Sequence, residues 1–181
     1  MDKEQREKYF EKVYNNIDKY GFHTTYVMEE PGFTPFGYST GIYENFKIPE
    51  LIISGLPNGL TTTCISNYAE MYKFGNPPIN EKINDLIDRF LVYLVEVENE
   101  SISEYVLSSV KHYENKQYKY LQLIFPDLNH NFPNDKNYNY DQKIWGKLII
   151  WETLESIAEN WQGILALRAI IVSIIACTIQ L

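Results

Sequence analysis

Residues 23–54 read HTTYVMEEPGFTPFGYSTGIYENFKIPELIIS, and the fold class turns on how this run is parsed. His23 to Met28 is a short β-branched and aromatic run, and Glu30-Pro31-Gly32 behind it is turn chemistry. Phe36 to Ile42 is a second strand of the same character, and Leu51 to Ser54, entered through Pro49-Glu50, is a third. The intervals between them are too short for parallel crossovers, which need a dozen or more residues, so the three are antiparallel neighbours.

Outward from this run the pattern alternates between helix and strand. Ahead of it, Tyr9, Phe10, Val13, Tyr14 and Ile17 recur at helical spacing up to Gly21, a C-terminal cap, which predicts a helix over 3–20. Behind it, Leu60, Cys64, Ile65, Tyr68 and Met71 form the stripe of a helix over 58–74, stopped by Gly75-Asn76-Pro77-Pro78. A strand is expected at 89–97, a helix at 101–114 capped by Ser101 or Ser103, and a last strand at 119–125, KYLQLIF. The expectation is therefore α+β: a mixed, largely antiparallel sheet of about five strands with covering helices, followed by an apolar C-terminal helical segment. Residues 128–143 form a polar, Asn-rich loop, long enough to carry function.

Composition narrows the class. With 45% hydrophobic and 22% charged residues, 181 residues suffice for one core but not two of ordinary size. The net charge of -8 and the lack of a Lys/Arg cluster argue against nucleic acid as a partner. Cys64 and Cys177 stand far apart in apolar helical contexts, so neither a disulfide framework nor a zinc site is expected, and free thiols suit a cytoplasmic location. The charged start, MDKEQRE, has no apolar stretch behind it and does not read as a secretory signal. No phosphate loop, nucleophile elbow or His-x-x-x-His helix is present, so no cofactor and no metal are expected.

Four motifs occur in order: Gly21-Phe22-His23; Phe36-Gly37-Tyr38-Ser39-Thr40-Gly41-Ile42; Pro49-Glu50-Leu51-Ile52 with Gly55-Leu56; and Leu121-Gln122-Leu123-Ile124-Phe125-Pro126-Asp127 with Phe132-Pro133. Together they resemble the bacterial domain-of-unknown-function family 4262 over roughly 20–139. The resemblance implies a cytoplasmic α+β domain of no established activity. Phe22 and Phe125 stand where the family pattern has tryptophan, and Asn134 where it continues with a Trp-acid pair.

Candidate site residues lie inside those motifs. His23 begins a strand, and an imidazole there can titrate near neutral pH as an acid or base, or simply bond a loop carbonyl. Glu50 at a strand start and Asp127 at a strand exit are positions that project polar groups into clefts, although Asp127 can equally bind the amides of its own turn. Tyr38 and Thr40 share one face of their strand by period-two alternation, with Ser39 opposite, and are the candidate binding pair. Two functional readings follow. One is a module that binds a protein or small molecule through the face bearing His23, Tyr38, Thr40 and Glu50; the other is a hydrolase or transferase with His23 as acid-base and Glu50 or Asp127 orienting it.

The organisation expected is a domain over 1–146, an amphipathic helix over 147–162 and an apolar segment over 163–181. That last stretch, GILALRAIIVSIIACTIQL, spans roughly 28 Å as a helix, just enough for a bilayer core. Three readings stand: a membrane attachment, an element packed on the domain or on a second copy in a homo-oligomer, or an atypical C-terminus. Arg168 and the bare minimum length favour packing over a span.

Overall fold

The computed structural model describes residues 2–147 other than Arg89 and Asn115, so the expectations for 147–162, for 163–181 and for Cys177 fall wholly or almost wholly outside the described residues. Helix α1 (Lys3–Tyr20) opens on a reciprocal cap: Asp2 accepts from the Gln5 amide while the Gln5 side chain accepts from the Asp2 amide. It ends at Gly21, whose φ of 86° is left-handed and open to glycine at little cost. Then follow β1 (His23–Val27), β2 (Phe36–Thr40), α2 (Ile42–Phe46), β3 (Glu50–Ser54) and α3 (Asn58–Tyr72). The chain continues through β4 (Ile83–Ile87), β5 (Phe90–Val97), α4 (Asn99–Ile102), α5 (Leu107–Tyr113) and β6 (Tyr120–Ile124).

The strands form one six-stranded sheet in the order β1-β2-β3-β6-β5-β4. Every pairing is antiparallel except β3 with β6, which is parallel and sets Glu50 beside Tyr120. The fold is the expected α+β class with a mixed, largely antiparallel sheet joining the first and last strands. Register assigns the two faces. Pairing of His23 with Thr40, Thr25 with Tyr38 and Val27 with Phe36 places these six on one face, which continues through Ile52. Ile102 of α4 and Val106 seal that face around Phe36, Tyr38, Ile52 and Tyr120. On the other face, Leu51, Ile53, Leu121, Leu123 and Leu94 bury against Cys64, Ile65, Tyr68 and Ala69 of α3, the larger core.

Three expectations are corrected. The sheet has a sixth strand, β4, at its edge, where Asn84 and Asp85 are exposed; that polar pair removes the alternation that would have announced it. The strand expected over 36–42 stops at Thr40, because Gly41 turns at φ 106° and the next residues form α2 under the carboxylate of Glu50. The helix expected over 101–114 is broken into α4 and α5, and neither Ser101 nor Ser103 is its cap; Glu98 and Val106 hold those positions. The turn between them lets Ile102 and Val106 enter one apolar cluster while Ser108 and Ser109 reach the sheet. The loop after β6 is tied to the sheet. Gln122, wholly buried, gives its amide proton to the Lys143 carbonyl at 2.7 Å and accepts from the amides of Trp145 and Gly146 at 2.8 and 3.0 Å.

Candidate functional site

Three groups of polar side chains sit on or beside the face of the sheet that α4 and α5 cover. The first surrounds Glu50, which has no exposed surface. Its Oε1 accepts from the amides of Gly41 and Tyr43 at 2.8 and 3.0 Å and from the Tyr113 phenol at 2.5 Å. Its Oε2 accepts from the Ser39 hydroxyl, which itself accepts from the Leu51 amide at 2.9 Å. Burial raises the Glu50 pKa, and the donors from Ser39, Tyr113, Tyr43 and Gly41 pull against that without reversing it. Burial, then the nearness of Glu50, pushes the phenols of Tyr113 and Tyr120 far above their ordinary value, so both are neutral proton donors.

The second group is Thr40, Ser109 and Tyr120. Ser109 Oγ lies 2.7 Å from both the Thr40 and the Tyr120 hydroxyls, and Tyr120 donates to the Ser39 carbonyl at 2.7 Å. All three residues are buried, so this cluster fastens α5 to the sheet. Thr40 and Tyr38, predicted to share a face, thus meet the consecutive serines of α5.

The third group lies at an opening. Ser108 Oγ receives the Tyr38 hydroxyl at 3.1 Å and stands 2.8 Å from the Tyr9 hydroxyl, which is 2.9 Å from Thr25 Oγ1. The Ser108 amide in turn donates to the Tyr38 oxygen at 3.1 Å. Helix α1 supplies Tyr9, β1 Thr25, β2 Tyr38 and α5 Ser108, so four elements converge on one patch of hydroxyls. The patch floors a groove of about 650 Å³. Phe10, Val27, Tyr105, Leu107 and Val110 make its apolar walls, and Arg6 of α1 and Lys111 of α5 contribute cations to its lining. Leu107, which lines the groove, is 62% exposed.

His23 looks elsewhere. It is buried, its Nδ1 lies 2.8 Å from Asn16 Nδ2, and it borders a separate cleft of about 700 Å³ with Phe22, Phe46 and Asn67. Burial, then the charge of Lys12, lowers its pKa, so the ring is neutral at pH 7. Asp127 is covered by a thin layer of its own loop: its Oδ1 accepts from the amides of Asn129 and Asn131 at 2.8 and 3.0 Å, and its Oδ2 from that of Asn139 at 3.3 Å. Burial raises its pKa, but these bonds and the Asn131 side chain outweigh that and leave it below the usual Asp value. The structure does not bring His23, Glu50 and Asp127 together: no hydrogen bond among the described residues joins any two. Glu50 starts β3 level with the start of β6, whereas Asp127 lies beyond the far end of β6. Among the described residues there is also no cluster of three His, Cys, Asp or Glu side chains placed to hold a metal.

Tyr9, Thr25, Ser108 and Tyr113 were not singled out by sequence. Tyr9 counts as one more apolar position in the α1 stripe, and Thr25 as an ordinary strand residue. The usable signal is Ser108-Ser109, two adjacent hydroxyls on a helix, which are buried while the apolar Leu107 and Val110 on either side are exposed.

No curated protein and no solved structure matches the chain. A family model described as a domain of unknown function (DUF4262) matches residues 16–139, from the last turn of α1 through all six strands and into the loop held by Asp127. That stretch is more than half of the chain and contains the hydroxyl floor except Tyr9, so the chain belongs to the DUF4262 family.

Proposed function

We propose that this domain is a binding module for a small molecule, which sits in the groove between α1, β1 and α5. The observation that carries the reading is the floor of Tyr9, Thr25, Tyr38 and Ser108 set among apolar walls. Small-molecule sites are concave, mostly apolar and supplied with a few convergent polar groups, in cavities of about 300–1,000 Å³. The floor is also built before any ligand arrives, since each hydroxyl is held by another and Tyr38 is only 2% exposed. Preformed polar groups save the entropy of ordering them on binding. The Glu50 cage lies deeper, with both carboxylate oxygens engaged, and serves to hold α2 and α5 in place behind the groove.

A fragment library screened against the full chain by ligand-observed NMR tests this. Hits should bind the native chain and be lost in Val110→Trp, whose indole would fill the groove from the partly exposed face of α5. Circular dichroism checks that this variant folds. A screen without hits, or hits that bind both chains equally, would sink the reading.

A further inference from the structure

The floor hydroxyls can be counted for protons as well as for contacts. Tyr9, Thr25, Tyr38 and Ser108 each carry one hydroxyl proton. Tyr38 spends its own on Ser108 at 3.1 Å. Three protons then remain on Tyr9, Thr25 and Ser108, yet only two short contacts exist among those oxygens, 2.9 Å from Tyr9 to Thr25 and 2.8 Å from Tyr9 to Ser108. The third side of the triangle, Thr25 to Ser108, is 3.4 Å, beyond the usual range of O–H···O bonds. The proton on the Thr25–Ser108 side therefore has only a long contact within the cluster, and this weakly engaged donor lies at the floor of the groove.

The lining points the same way. Arg6 and Lys111 have no ion-pair partner among the described residues, and the groove they share is lined by no carboxylate. Glu7 and Glu11 of α1 line a neighbouring hollow, which Arg6 and Lys111 also border, and Glu7 is there 3.8 Å from Lys3. A lining with cations and no acid is a local exception in a chain of net charge -8. A weakly engaged donor on the floor, two cations without an ion pair in the lining and aromatic walls select a ligand that brings oxygen acceptors and negative charge on an apolar body.

Resting on the groove as the binding site, we infer that the ligand is a small organic carboxylate with an apolar or aromatic body, its oxygens received by Arg6, Lys111 and the weakly engaged Thr25 hydroxyl. The probes are 4-phenylbutanoate and its neutral isostere 4-phenylbutanamide, titrated into the full chain and followed by NMR shifts of Tyr9, Tyr105 and Thr25. The carboxylate should bind about tenfold or more tighter than the amide, as expected for charge-assisted bonds. Arg6→Gln and Lys111→Gln, both at exposed positions, should each lower that preference, the carboxylate losing more affinity than the amide. Thr25→Val should weaken the carboxylate again. Equal binding of the two probes in the groove, or a carboxylate preference that survives both Gln variants, overturns the carboxylate inference and leaves the groove as a binding site. Absence of any shift at the groove with either probe overturns both.

Discussion

Tyr113 donates its phenol proton to Oε1 of Glu50 across 2.5 Å, joining the last residue of α5 to the first residue of β3. The bond is one of four into a carboxylate that no water reaches, so the value of each partner lies in what its loss would strand. Glu50→Ala leaves the Gly41 and Tyr43 amides and the Ser39 and Tyr113 hydroxyls buried without an acceptor. It should cost about 3–5 kcal/mol, because several buried donors, each worth roughly 1–3 kcal/mol when stranded, lose their acceptor together. Tyr113→Phe removes a single donor and should cost about 1–2 kcal/mol. Urea midpoints of the two variants measure both, and a Glu50→Ala loss no larger than that of Tyr113→Phe would refute the cage.

The same carboxylate sets a pH dependence of unusual sign. Its folded pKa lies above the ordinary 4.5, so between those two values the folded chain holds a proton that the unfolded chain has released. Stability from this group is therefore greatest below the unfolded value and declines as pH rises toward the folded one. Glu50→Gln cannot titrate and should lack the decline. The stability difference between native chain and variant, followed from pH 4 upward, should move against the native chain; movement in its favour would contradict the assignment.

Gly55, just after β3, is one of the points at which the loop after β6 meets the sheet. Its φ is +83°, and an added Cβ would lie 2.3 Å from the carbonyl oxygen of Asp141. Gly55→Ala thus meets both a backbone penalty and a clash with main chain that has no side chain to swing away. A loss of at least about 2 kcal/mol is expected. Hydrogen exchange at Lys143, whose amide donates to Ser54 Oγ at 3.0 Å, should rise in the variant. Unchanged protection there would show that the loop docks independently of this contact.

Cys64 is 1% exposed on α3, and burial pushes its thiol up to about 11 from an ordinary 9.0. The thiolate fraction alone should slow its reaction with a disulfide reagent at pH 8 by about a hundredfold. Peptide mapping, which separates Cys64 from Cys177, should find Cys64 modified only on unfolding. Rapid modification in the folded chain would mean that α3 opens on its own.

The parts of this fold legible in sequence are those fixed by local pattern. β1, β2 and β3 show their alternation and turn residues, and α1 carries its cap at Gly21. β4 was hidden because Asn84 and Asp85 face solvent at an edge, where no core demands an apolar residue. The conversion of Ile42–Phe46 into α2 depends on Glu50 accepting the Gly41 and Tyr43 amides, a contact from outside the window in which Gly41 and Ile42 simply continue a strand. The groove was half legible. Tyr38 was marked by its face, but its partners Tyr9 and Ser108 come from helices whose packing on the sheet no periodicity specifies.

The parallel pairing of β3 with β6 divides the sheet into two antiparallel meanders, β1-β2-β3 and β6-β5-β4, each made by neighbours in sequence. Each half can form from local contacts, but the seam at Glu50–Tyr120 and Ile52–Gln122 must close a long loop before it returns any stabilisation. The seam is then the slow step of folding, and a residue's kinetic role depends on whether it lies along that line. Ile52→Val, buried on the seam, should slow refolding in stopped-flow experiments, whereas Ile83→Val on the outer strand β4 should act on unfolding. Equal effects on refolding would mean that the two halves do not form first. The hydroxyl-floored groove rests on the first half and on α5, which lies across the seam, so the site is complete only once the chain has joined its two sheets into one.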